Sequence, residues 1–172
     1  MELLLGCGSN WQKRLIYAGA SDWQHLETLD HNADHKPDLV WDLNQRPLPY
    51  GDDRFDEIHA YEVLEHIGRQ GDAEGFFAEW SEYWRLLKPG GMFFGTCPAP
   101  GSPWVWGDPS HTRAIQPEHL IFLVQPNYAQ VGATPMSDFR SIYKCDFDIL
   151  HNYINGLTFE FVLRAVKPSR LT

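Results

Sequence analysis

Gly6 and Gly8 bracket Cys7 in a turn that follows the apolar run Leu3-Leu4-Leu5. Glycines at such a turn let the backbone approach a ligand closely. Asp30 closes the next strand-like segment, where a carboxylate accepts hydrogen bonds from both hydroxyls of a ribose. Asp42-Leu43 closes the third, where a carboxylate can accept an adenine amino hydrogen while the leucine packs on the ring. The glycine pair alone reads equally as a tight turn. The two acids that follow it in order turn the reading toward a nucleoside ligand.

Two further clusters carry polar chemistry. Gly107-Asp108-Pro109-Ser110-His111-Thr112-Arg113 follows Trp104 and Trp106. Aromatic walls with a few convergent polar groups describe a small-molecule pocket. An imidazole titrates near neutrality, so His111 is suited to take a proton from a hydroxyl or amine, and Arg113 to orient an anionic group. The competing reading is structural: Asp108 caps a turn, and His111 and Arg113 tie the loop to the core. In Glu62-x-x-Glu65-His66, two carboxylates and an imidazole share one turn. Such a set can hold a divalent cation, completed by His111 or His119. Equally, Glu65 and His66 can organise the turn after the fourth strand, and the expectation is that no metal is bound. Cys7, Cys97 and Cys145 contain no Cys-x-x-Cys pair, which argues against zinc.

These residues need elements to position them. Short apolar runs at residues 3–5, 26–29, 38–41, 55–61 and 91–97 read as five strands, each bounded by turn residues. Between the last two, Ala73, Phe76, Phe77, Trp80, Tyr83, Trp84 and Leu87 recur at helical spacing, which predicts an amphipathic helix over 72–87, stopped by Lys88-Pro89-Gly90-Gly91. A short helix is expected over 62–67. Gly19, Ser21 and Asp22 interrupt residues 9–25, leaving room for at most a short helix around Trp11, Leu15 and Ile16. Asn155-Gly156 predicts a type I′ hairpin between residues 147–154 and 157–166. Alternating strands and helices argue for an α/β fold with a parallel sheet. Residues 98–143 form a connection too long to be passive, and read as a lid or substrate insertion in a single domain spanning 1–172.

The bulk numbers bound the function. With 14 Lys+Arg against 23 Asp+Glu the net charge is −9, and no basic cluster offsets it, which argues against nucleic acid as a partner. No apolar run approaches a membrane span, the N-terminus does not resemble a signal peptide, and three scattered cysteines suggest a reduced, cytoplasmic protein.

The ordered set Leu4-Leu5-Gly6-Cys7-Gly8, Thr28-Leu29-Asp30, Asp42-Leu43-Asn44, Pro47-Leu48-Pro49-Tyr50, Phe55-Asp56-Glu57-Ile58, Glu62-Val63-Leu64-Glu65-His66 and Leu87-Lys88-Pro89-Gly90-Gly91 resembles the class I, Rossmann-like methyltransferases that use S-adenosylmethionine (SAM). The resemblance implies a three-layer sandwich on a mostly parallel seven-stranded sheet, order 3-2-1-4-5-7-6, with strand 7 antiparallel. It implies that Gly6, Cys7 and Gly8 lie along the methionine and ribose of SAM, that Asp30 holds the ribose, and that Asp42 and Leu43 contact the adenine. Tyr61 and Glu62 would lie near the amino-acid part; His111 and His66 as candidate bases and Arg113 as an anchor for the acceptor are read from the chemistry of the residues themselves. The family's usual third glycine is Asn10 here, a residue that tolerates left-handed backbone. The Asp-Pro-x-His-x-Arg run is similar to one in small members of the superfamily with diverse substrates. The function implied is methyl transfer; a lone candidate base is compatible with an oxygen or a nitrogen acceptor, and the net charge and the aromatic loop favour a small molecule over a protein or a capped nucleic-acid end. The alternatives are a SAM-binding module without turnover and, further off, an NAD-dependent Rossmann enzyme. Trp104 to Trp106 would form either a pocket wall or a contact in a homodimer.

Overall fold

The computed structural model describes residues 1–19 and 21–171. Seven strands form one sheet in the order β3-β2-β1-β4-β5-β7-β6. They are β1 (Glu2–Leu5), β2 (Leu26–Asp30), β3 (Leu39–Val40), β4 (Phe55–Tyr61), β5 (Leu87–Pro98), β6 (Phe147–Asn155) and β7 (Thr158–Ala165). Strands β1 to β5 pair in parallel, and β7 runs antiparallel to both β5 and β6. The class I topology implied by the resemblance is the one observed.

The sheet has two unlike faces. Because side chains alternate along a strand, Ile58 and Ala60 of β4 point to one face while His59 and Tyr61 point to the other. The first face carries the main core, where helix α1 (Ala73–Leu86) buries Phe77, Trp80, Tyr83 and Leu86. The Asp72 carboxylate caps this helix by accepting from the Gly75 amide at 2.9 Å. The second face is covered by the irregular segment between β1 and β2, in which no helix forms among the described residues. Leu15, Trp23 and Leu26 pack there on Leu4, Cys7, Tyr61, Phe94 and Val162.

The segment is held by a hydrogen-bonded row. The Tyr61 hydroxyl accepts from the Arg14 and Leu15 amides at 3.2 and 3.3 Å, so its own proton goes to His59 Nδ1 at 2.6 Å. His59 Nε2 then donates to Glu57 at 2.9 Å, and Lys13 bridges Glu57 and Glu2 at 2.7 and 2.8 Å.

Three local expectations shift. The short helix expected over 62–67 is narrower, a single 3-10 turn at Leu64–His66. Strand β5 begins at Leu87, which pairs with Phe55 before the chain bulges and resumes pairing at Met92 opposite Glu57. The hairpin closes on Asn155 paired with Thr158, so Gly156 and Leu157 are the turn residues, one position later than expected. Gly156 has φ +61 while Leu157 is not left-handed. Glycine at the first central position is the type II′ arrangement, not type I′.

Short elements fill the connection from β5 to β6: α2 (Trp104–Gly107), α3 (Pro117–Leu120) and 3-10 turns. Among the described residues no helix is long and apolar enough to cross a membrane.

Candidate active site

The carboxyl ends of β1, β2, β3 and β4 open onto a cavity of about 770 Å³ lined by Gly6, Gly8, Asp30, His31, His35, Trp41, Asp42, Leu43, Asn44, Glu62, Val63, His66, Ile67 and Ser110. This is the crevice in which open α/β sheets bind ligands, and its size lies within the range of ligand pockets.

Gly6 and Gly8 have φ of +54 and +53. At Gly6 a Cβ would lie 2.5 Å from Val63 Cγ2, so this glycine is required by the turn after β4. At Gly8 a Cβ would meet nothing within 4 Å, so the space in front of this glycine is free. Asp30 is buried, and its two oxygens accept separately from the Gly8 amide at 2.9 Å and the Asn32 amide at 2.8 Å. Burial alone would raise its pKa; those two amides and His35, 3.4 Å away, outweigh burial and hold the carboxyl below its ordinary range. Asp42 is exposed and accepts from the Asn44 amide, while Leu43 beside it is buried. Glu62 holds φ +56, a left-handed conformation unusual for a side chain of its size, with its amide donating to Thr96 O at 2.9 Å. Backbone strain of this kind costs of order 1–3 kcal/mol and persists where the surroundings impose it.

Several expected residues stand elsewhere. The Tyr61 side chain is on the second face, turned away from the cavity by the pleat of β4. The Cys7 side chain is buried on that same face, where burial pushes the thiol up. Arg113 is buried and committed: its Nη2 donates to Glu79 at 2.8 Å and its Nε to Leu64 O at 2.8 Å. It lines a separate cavity of about 340 Å³ with Phe76, Phe77, His119 and Phe139, not the larger one. Asn10 has no positive φ; its Oδ1 accepts from the Gln12 amide at 3.0 Å.

His66 reaches the larger cavity, and His111 stands behind it with ring centroids 4.6 Å apart. His111 Nδ1 lies 3.1 Å from Val105 O, and its Nε2 is 4.0 Å from both Glu65 and Asp108. Burial pushes the Glu65 carboxyl up to about 8. Sequence reasoning missed His31, His35, Trp41 and Ser110. His31 follows directly on Asp30 with His35 four residues later, Trp41 is next to Asp42, and Ser110 lies inside the singled-out loop, so each stands close to a residue already singled out.

The model describing a methyltransferase domain matches residues 3–95, more than half of the chain. The chain belongs to this methyltransferase-domain family. Structures similar to it include a SAM-dependent methyltransferase from Archaeoglobus fulgidus (TM-score 0.58, 14% identity, covering 95% of this chain and 85% of that one). Another is an S-adenosylmethionine-dependent methyltransferase from Mesorhizobium loti (0.56, 14%, 95% and 89%), and a third a SAM-dependent methyltransferase from Methanosarcina mazei (0.53, 12%, 96% and 92%). At these identities the likeness is one of fold. No curated protein matches the chain.

SAM is the cofactor this methyltransferase domain implies. The residues fit it. Open space in front of Gly8 leaves room for close approach, the buried Asp30 carboxylate keeps acceptor capacity beyond its two amide bonds, and Leu43 supplies an apolar surface.

Proposed function

We propose that this methyltransferase-domain protein transfers the methyl group of SAM to an oxygen or nitrogen of a small acceptor. The observation that carries the reading is Asp30: a buried carboxylate anchored by the Gly8 and Asn32 amides at the floor of a large cavity. Its remaining lone pairs would take the ribose hydroxyls, with Asp42 and Leu43 at the adenine and Glu62 accepting from the ammonium of the amino-acid part. Gly6 and Gly8 would shape the wall along the ligand, the first through Val63 and the second directly.

Bound there, SAM supplies a methyl already activated on a sulfonium. The task left to the chain is alignment of the acceptor, worth effective molarities on the order of 10⁵–10⁸ M. We assign His66 to contact the acceptor, because it is the imidazole that lines the cavity, and His111 to position it. Trp104 and Trp106 are 60% and 62% exposed on the short helix next to His111, and offer an aromatic wall to a small acceptor or a contact to a second copy. The net charge of −9 and the carboxylates around the cavity favour such an acceptor over a phosphate backbone. Three free cysteines suit a reducing, cytoplasmic compartment.

Titration calorimetry with protein freed of ligand tests the cofactor site: micromolar SAM binding is expected, lost in Asp30→Ala. Transfer of labelled methyl to a panel of small phenols, alcohols and amines tests turnover. Binding with no transfer to any acceptor would support a SAM-binding module instead.

A further inference from the structure

Glu65 is 2% exposed, and neither carboxylate oxygen has a hydrogen-bond partner. An unpartnered carboxyl at that depth costs stability, so its surroundings matter. They are the buried Cys97 thiol, the Arg113 guanidinium already committed to Glu79, and two imidazoles.

The imidazoles are both held in one tautomer. His111 Nδ1 faces the Val105 carbonyl at 3.1 Å, and a carbonyl only accepts, so Nδ1 carries the proton and Nε2 keeps its lone pair. The Ser110 hydroxyl gives its proton to Asp108 Oδ1 at 2.5 Å, so toward His66 Nδ1, 3.1 Å away, it can only accept. His66 therefore also carries its proton on Nδ1 and keeps the Nε2 lone pair. Ring N–H groups donated to oxygen acceptors are the outer-shell pattern that prepares histidine for a metal. One ligand atom from each of Glu65, His66 and His111 lies within 4.8 Å of the other two.

We propose that Glu65, His66 and His111 form a binding site for a divalent first-row transition ion, at the edge of the cofactor cavity. Two imidazoles and one carboxylate suit zinc, cobalt or manganese better than magnesium, which prefers all-oxygen shells. Metal–ligand distances of about 2.0–2.2 Å bring tetrahedral ligand atoms to about 3.3 Å of one another. The His111–Glu65 pair, at 4.0 Å, needs to close by less than an ångström. Glu62, although next in the motif, is outside the cluster. Because His66 and Ser110 line the cavity, the ion's open positions would face the acceptor and take an oxygen of it, so that with the ion bound His66 would act on the acceptor through the ion rather than by direct contact. That role rests on the methyl-transfer reading; the binding of the ion does not.

The tag-free 172-residue chain, stripped with chelator, is titrated with Co²⁺ and followed by its visible absorption, and the Co²⁺ is then displaced with Zn²⁺. One ion per chain is expected, with affinity reduced at least about 100-fold in His111→Ala and in Glu65→Gln, beyond the 10–100-fold typical of outer-shell changes. His119→Ala, outside the cluster, should bind as the parent does. Circular dichroism confirms that each variant is folded. If the folded parent takes up no stoichiometric Co²⁺, or if binding survives in both cluster variants, the proposal is overturned. SAM calorimetry on the same stripped protein reads the cofactor site separately, so loss of one does not imply loss of the other.

Discussion

Two buried glutamates in this molecule have opposite surroundings. Glu79, on the inner side of α1, is 0% exposed and takes the Arg113 guanidinium at 2.8 Å and the Tyr83 hydroxyl at 3.0 Å, with Arg46 at 3.4 Å beyond. Glu65, within the 3-10 turn, is nearly as deep and has no hydrogen-bond partner for either oxygen. Arg113 passes between them. Its backbone amide donates to Glu65 O and its side chain to Glu79. The ion pair that could have neutralised Glu65 is spent on holding the connection after β5 to α1. An ion-paired acid ties elements together; an unpaired one beside a cavity is available to something not part of the chain.

The contrast can be broken or sharpened by substitution. The largest effect is expected at Glu79→Ala, which strands the buried Arg113: a loss of about 3–5 kcal/mol of stability, read from denaturant unfolding. If Glu79→Ala is neutral, the paired acid is not what holds the connection. Asp30→Ala should cost less stability, about 1–3 kcal/mol for the Gly8 and Asn32 amides it strands, while weakening SAM by about 100-fold in calorimetry, the scale of losing hydrogen bonds to a charged group. Glu65→Gln, measured with chelator present, should equal or exceed the parent in stability by about 1 kcal/mol, because a buried unpaired acid is replaced by a neutral amide. A clear destabilisation there would mean Glu65 has a partner within the fold.

The smallest expected effect concerns a third acid, Glu57 on the second face. Burial would raise its pKa, but the bonds from His59 and Lys13 outweigh that and hold it below its ordinary value. A folded pKa below the unfolded one contributes stability above about pH 4.5, and that contribution is lost as pH falls through the folded value. The stability gap between the parent and Glu57→Gln, about 1 kcal/mol or less at neutral pH, should therefore narrow between pH 6 and pH 3.

Much of this was legible in the residues because it is local. Each short apolar run ended by a glycine or acid became a strand with Gly6, Asp30 or Val40-Trp41-Asp42 at its end, and the three- and four-residue spacing of Phe77, Trp80, Tyr83 and Leu86 became α1. What was illegible depends on contacts across the fold. Arg113 has the chemistry to orient a substrate, and only the packing of α1 reveals that Glu79 has claimed it. Tyr61 lies at the end of β4 as expected, yet a period of two sends its ring to the opposite face from Ala60. At Asn155-Gly156 the turn slid by one residue, since the pairing along β6 and β7 sets the register and not the dipeptide alone.

The irregular segment on the second face has a bearing on time as well as on shape. It leaves β1 through Gly8, whose amide is bound to Asp30, and it is latched by the Arg14 and Leu15 amides on one phenol oxygen. Without helical hydrogen bonds among its described residues, it can detach without unzipping any strand, which places it at the low-stability end of local opening. Amide hydrogen exchange in residues 9–19 should outpace that of β1 and β4. Tyr61→Phe removes the oxygen that receives the Arg14 and Leu15 amides and should quicken the exchange of those two amides further, leaving Lys13 between Glu2 and Glu57 as the remaining anchor.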